Sequence, residues 1–236
     1  MDRERASKRL MEILGLKYEP VAITLWKDES LPQGYCVPEK PLRHCQALMR
    51  ARKGEKLTVP ADKQACPVGG SALGIVPLPE KVKAGEFHYN IGLYKDVEAA
   101  RRMIEARPEM PANSVKATAL SPLSKATVEP DVVVITGTPE QVYWIVPAAS
   151  TYKEGGRVTL ETASFQATCA DSTLVPYLKR RVNISLGCFG CRKNTDIAPE
   201  EMLVGIPFDQ LPSLLETLEK LAVKAIPSSR QAAPAR

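Results

Sequence analysis

The chain has 236 residues, 44% of them hydrophobic and 25% charged, with a net charge of +5. This is ordinary globular composition, long enough to bury a core. Aromatic residues make up only 6% and do not alternate with basic runs, which argues against a base-stacking nucleic-acid surface. The basic runs Arg50-Ala51-Arg52-Lys53, Arg101-Arg102 and Lys179-Arg180-Arg181 read as solvated helix faces and C-terminal turns.

No segment approaches the roughly 18 consecutive apolar residues of a membrane span. The N-terminus is charged and amphipathic and lacks the apolar stretch of a secretory signal. A cytoplasmic protein without membrane contact is expected. In that compartment thiols stay reduced, so the six cysteines read as ligands, redox groups or core residues rather than a disulfide framework.

In chain order, residues 2–14 predict a helix with Leu10, Met11, Ile13 and Leu14 on its apolar face, stopped by Gly15. Pro20 to Trp26 reads as a buried strand, and a Pro- and Gly-rich loop with Cys36 follows. Pro41 opens a helix through Arg52 that carries His44 and Cys45. Cys66-Pro67-Val68-Gly69-Gly70 is a turn into a short helical stretch, Ser71 to Leu73. Glu86 to Leu93 reads as a strand, Asp96 to Ala106 as a solvent-facing helix, and Ser114 to Leu120 as a strand. Asp131 to Thr136 (DVVVIT) is the clearest strand, an apolar β-branched run. Thr138-Pro139-Glu140-Gln141 then has the chemistry of a helix start.

Arg157–Glu161, Val182–Leu186 and Met202–Ile206 are further strands, and Leu211 to Leu221 a closing amphipathic helix. These elements predict an α/β fold, with α+β as the alternative: one globular domain over residues 1–226, a mixed sheet with flanking helices, and a disordered tail over 227–236.

The chemistry concentrates in the cysteines. In Ser185-Leu186-Gly187-Cys188-Phe189-Gly190-Cys191-Arg192 one tight turn can aim both sulfurs at a single point. Gly187 and Gly190 permit close approach of backbone N–H groups, and Arg192 supplies charge for a thiolate-bound cofactor. One C-x-x-C pair does not complete a site, because closed zinc sites use a second pair or histidines. A [4Fe–4S] cluster accepts scattered thiolates, and Cys45 and Cys66 are the remote partners that complete a metal set of Cys45, Cys66, Cys188 and Cys191.

Cys36 and Cys169 are held in reserve, each more simply read as a small buried apolar residue. A thioredoxin-like redox pair requires a helix after the first cysteine, and the polar run RKNTDIAPEE reads as loop. His44 and His88 read as ordinary histidines, and Glu161, Asp171 and Asp196 as surface or capping groups. Dinucleotide fingerprint, P-loop, nucleophile elbow and H-E-x-x-H motifs are all missing.

Several segments together resemble the domain of unknown function 169 family, found in archaea and anaerobic bacteria. They are Pro20-Val21-Ala22-Ile23; Cys45-Gln46-Ala47-Leu48 with Arg52 and Gly54-Glu55; Cys66 with Gly69-Gly70; Pro130-Asp131-Val132-Val133; Cys169-Ala170-Asp171-Ser172; and Val182 through Arg192. The resemblance runs from about Leu10 to Leu221. It implies that Cys45, Cys66, Cys169 and Cys188 belong to recurring motifs, which raises Cys169 as a ligand in place of Cys191. It implies no activity.

The expectation is an iron–sulfur or metal-binding protein with an electron-transfer or redox-accessory role, using a [4Fe–4S] cluster and a redox partner protein. A zinc-stabilised binding module and a cysteine-dependent enzyme on a small organic substrate are the alternatives. The oligomeric state is not legible.

Overall fold

The computed structural model describes residues 1–163 and 165–231. Helix α1 (Arg3–Leu14) starts where the Asp2 side chain accepts from the Arg5 N–H, and ends at Gly15 in a left-handed conformation, φ 68°. Strand β1 (Val21–Trp26) follows, then α2 (His44–Ala51), β2 (Leu57–Pro60) and α3 (Pro67–Ala72). Three helices come next: α4 (Glu80–Lys83), α5 (Glu86–Asn90) and α6 (Val97–Glu105).

Strands β3 (Ala117–Pro122) and β4 (Val132–Gly137) precede α7 (Pro139–Val146). A short π-helical turn, Pro147–Thr151, leads into α8 (Tyr152–Glu154). A second π-helical stretch, Ala167–Leu174, runs into α9 (Val175–Lys179). The chain closes with β5 (Asn183–Ser185), α10 (Phe189–Asn194), β6 (Met202–Pro207), α11 (Leu211–Val223) and α12 (Ala225–Ser229).

The sheet has six strands in the order β2-β3-β1-β4-β6-β5. Every ladder is antiparallel, which places the single domain on the α+β side of the expectation instead of giving it a mixed sheet. Strand β4 is central and buried along its whole length. Its alternation is set by the period of two in a strand. Val133 and Ile135 pack against Leu10, Val142, Ile145, Leu214 and Leu218. Val132 and Val134 point the other way, to Cys45, Leu48, Cys188 and Cys191. The first face is thus covered by the long helices α1, α7 and α11, and the second by α2 and α10. A third cluster, with Ala72, Leu73, Cys169 and Leu174, extends the second face at one end.

Four sequence expectations are corrected. Glu86–Leu93 is not a strand but helix α5, which follows Gly85 at φ 85°. Its alternation misleads because Phe87, Tyr89 and Ile91 are exposed while His88, between the rings of Phe87 and Phe165, is buried. Arg157–Glu161 forms no backbone ladder. The Asn183 amide stands in for one, donating to the Glu161 carbonyl and accepting from its N–H, both at 2.7 Å. The run after Cys191 becomes loop only at Thr195, since α10 continues to Asn194. Finally, the expected tail from residue 227 is helical through Ser229, and residues 232–236 lie outside those described.

Candidate functional site

Five of the six cysteines line one cavity of about 550 Å³: Cys45, Cys66, Cys169, Cys188 and Cys191. Cys36 does not; it is exposed, and its backbone extends the sheet edge beside Leu57. Cys169 is a buried core residue, as the sequence suggests, and it also lines the cavity wall, while Cys36 is not part of the core.

Local structure explains each placement. Cys188 is the N-cap of α10, its Sγ accepting from the Cys191 N–H at 3.2 Å. Cys66 caps α3 in the same way, accepting from Gly69 at 3.4 Å, with Pro67 preorganised at the first helical position. Cys45 lies in the first turn of α2, and Cys169 in the π-helical stretch Ala167–Leu174.

The sulfurs fall into two groups. Cys188 Sγ donates to Cys191 Sγ at 3.1 Å, and Cys191 also meets the Thr168 hydroxyl at 2.7 Å. The Cys188 hydrogen bond works to lower the Cys191 pKa, but the one shared with Cys45, together with burial, carries that thiol up to about 11. In the second group, the Cys66 and Cys169 sulfurs lie 3.6 Å and 3.3 Å from where a Cβ on Gly69 would sit. Burial raises the Cys169 thiol well above its ordinary range, with Cys66, Cys188 and Cys191 adding to the effect. None of the six cysteines is in a disulfide. The donors are spread over the walls: among the described residues no three His, Cys, Asp or Glu side chains are set to hold a single metal ion.

Of the residues named for cofactor contact, Gly190 lines the cavity, whereas Gly187 and Arg192 do not. Gly187 turns the chain at φ 78° and leaves room for Arg192. That guanidinium folds back onto the carbonyls of Leu186, Ala198 and Glu201. It braces the loop and offers no charge to the cavity.

Arg52 braces the same region from α2. It is buried, donates to both Glu201 carboxylate oxygens at 3.0 and 3.1 Å, and lies over the Tyr18 ring at 4.1 Å. The three acids named as general acid–base candidates are structural. Glu161 pairs with Lys179 and Arg181, and Asp196 with Arg52 and Lys53. Asp171 is pushed up to about 7 by burial, against the hydrogen bonds it accepts from Ala163 and Thr162.

The rest of the lining escaped sequence reasoning. Phe87, Phe165, Val68 and Val82 give it an apolar body, and Lys81, Arg43 and Lys193 bring positive charge. The signal for Gln166 was absent from the sequence, since nothing local marks a glutamine for a left-handed backbone at φ 63°. His44 and His88 also line the cavity, and burial lowers each to about 4, the Arg107 charge assisting at His88.

Fold and site together define a class: an antiparallel α+β domain whose one face carries a thiol-lined cavity. The chain belongs to the domain of unknown function 169 family, whose model, described as "Uncharacterised ArCR", matches residues 9–217. It is similar to an uncharacterised protein of Methanocaldococcus jannaschii, 34% identical over 220 residues, covering 92% of this chain and 93% of that protein. No solved structure matches. Among the described residues no helix is long and apolar enough to cross a membrane.

Proposed function

We propose that this protein is a cytoplasmic iron–sulfur protein that passes electrons to a partner protein or supports a redox enzyme. The observation that carries the reading is the convergence of five thiols, from four separate stretches of chain, on one cavity. Isolated cysteines serve as core residues, but five thiols brought to one void have no packing rationale. Among the described residues no three donors are set for a single ion, so a multi-atom cluster suits these thiols better.

Cys45, Cys66, Cys169 and Cys188 would hold a [4Fe–4S] cluster. Cys191, at 1% exposure and bonded to Cys188 and Thr168, is the least exposed of the five. When bound, such a cluster supplies one-electron chemistry whose potential follows burial and hydrogen bonding to sulfur. The protein's part is to exclude water with the Phe87 and Phe165 rings and to hold the thiols in two groups.

The test is anaerobic reconstitution followed by iron, sulfide and visible-absorption measurements. Four irons and a broad visible band are expected. Serine at Cys45, Cys66, Cys169 or Cys188 should each abolish or cripple the cluster, whereas serine at Cys36 or Cys191 should not. A colourless, iron-free protein after reconstitution would sink the reading; stoichiometric zinc without colour would point to the zinc alternative.

One observation favours a second reading. Cys188 caps a helix and its sulfur lies 3.1 Å from that of Cys191, the arrangement of a dithiol pair. Oxidation would join the two sulfurs and release two protons and two electrons to a disulfide acceptor. An iron-free protein that forms a Cys188–Cys191 disulfide on treatment with oxidised glutathione would favour this enzyme-like role.

A further inference from the structure

The cavity is larger than its thiol walls require, and its other wall holds polar groups with nothing to bond. Gln166 is 4% exposed, His44 2% and His88 0%. Among the described residues, neither the oxygen nor the nitrogen of the Gln166 amide has a hydrogen-bond partner, nor does either ring nitrogen of His88. His44 uses one ring nitrogen on Thr173, at 3.2 Å, and leaves Nδ1 unpaired. A buried polar group left unmet is costly, so five such atoms around one void call for something that enters to meet them. Gln166 carries a further cost in its left-handed backbone, a conformation that non-glycine residues hold mainly where function requires it.

Charge narrows the choice. Arg43, Lys81 and Lys193 line the cavity, no Asp or Glu does, and among the described residues none of the three cations has a salt bridge. A volume of about 550 Å³ falls in the range of small-molecule sites, roughly 300–1,000 Å³.

We infer that this end of the cavity is a binding site for a small organic anion with a planar, amide-bearing body. The carboxamide of Gln166 presents a donor and an acceptor side by side, which a lactam or imide edge meets with two hydrogen bonds. The rings of Phe87 and Phe165 and the side chain of Val82 supply the apolar walls. The cations receive the carboxylate or phosphate. This site shares its cavity with the thiols and does not depend on what they hold.

Orotate is a suitable probe, because it joins an imide edge to a carboxylate in one planar ring. Uracil keeps the edge without the charge, and benzoate keeps the charge without the edge. Calorimetric titration of the reduced, metal-free protein should give an orotate affinity at least tenfold above those of uracil and benzoate. Gln166→Leu should lower orotate affinity about tenfold or more and leave benzoate unchanged, as expected when buried hydrogen bonds to a ligand are lost. Lys81→Gln should weaken orotate and benzoate alike.

Should Gln166→Leu fail to fold by circular dichroism, Gln166→Glu keeps the size, inverts the polar match and should give the same loss. Orotate binding that is undetectable at millimolar concentration, no tighter than that of uracil or benzoate, or indifferent to Gln166 would overturn the inference. Because iron loading is scored separately, a failed cluster with intact orotate binding refutes only the iron–sulfur reading, and the converse refutes only this one.

Discussion

Arg52 ties α2, which bears His44 and Cys45, to the loop that follows Cys188 and Cys191. Its guanidinium makes two ionic hydrogen bonds to Glu201, a third to the Thr136 hydroxyl at 3.2 Å and a fourth to the Asp196 carbonyl at 3.3 Å. Its side chain is 1% exposed and that of Glu201 12%. Arg52→Met keeps the apolar stem and deletes all four bonds and the contact with Tyr18. Glu201 is then left desolvated without its counter-ion, although it still accepts from the Ala198 N–H at 3.0 Å. Breaking a buried pair from one side costs about 3–5 kcal/mol, because the surviving charge is left uncompensated.

Urea denaturation with linear extrapolation should show a loss of about 3–4 kcal/mol for Arg52→Met, near the middle of that range. Glu201→Gln should cost less, as Asp196 still neutralises part of the Arg52 charge at 3.5 Å. The double variant should lose clearly less than the sum of the two singles, with a coupling of about 1.5 kcal/mol or more for charges in direct contact. Thiols of Cys45 and Cys191 should become faster targets for a disulfide reagent under native conditions. Two singles that each cost under about 1 kcal/mol, or that add without coupling, would refute the view of Arg52 as a strut across the site.

Gly205→Ala should cost about 3 kcal/mol or more in the same assay. An added Cβ would overlap the Ser172 carbonyl and come within 2.7 Å of Pro176, forcing backbone to move; a loss under about 1 kcal/mol would show the strand free to give. His88 is held at about 4 by burial, then by Arg107, against an unfolded value of 6.5. Between those values the unfolded chain takes up a proton that the folded chain refuses, so stability falls as pH drops from 6.5 toward 4. Solvent reaching the cavity halves the full linkage, leaving about 1.5 kcal/mol. His88→Phe should flatten the acid limb by that amount; an unchanged pH profile of thermal stability would count against a neutral buried His88. Gly69→Ala should leave the protein as stable or raise it by up to about 1 kcal/mol through helix propensity. By crowding the sulfurs of Cys66 and Cys169 it should also lower iron incorporation, and full incorporation would show that these two thiols do not share a ligand.

The legible parts of the fold are those written locally. DVVVIT needs only its β-branched run to be a strand, and its burial on both faces follows from its central place. Thr138 and Gln141 form a reciprocal cap visible in four letters of sequence. Helix α10 was not legible, because FGCRKN contains glycine and polar residues and no apolar period. It is fixed instead by a cysteine acting as N-cap and by Arg192 folded onto three carbonyls. Strand β2 is a four-residue run, too short for alternation to speak. The Cys188–Cys191 turn, legible as C-x-x-C with Gly187 and Gly190, lines the cavity. Its partner wall, Cys66 with Cys169, depends on the π-helical stretch reaching α3, a contact between residues about a hundred positions apart that no local pattern encodes.

The two faces of the sheet explain why chemistry settled on one of them. On the first, α1 and α11 run 12 and 13 residues, long enough to lay continuous apolar stripes over β4 and β6. On the second, α2, α3, α5 and α10 have 8, 6, 5 and 6 residues. Helices of one or two turns cannot tile a sheet face; they present ends, caps and turns instead of stripes. A void between such ends is lined by whatever residues occupy N-caps and first turns, which here are Cys66, Cys188, His44 and Cys45. The cavity is thus a consequence of short elements converging on one half of the second face, and its reactive lining a consequence of which residues terminate them.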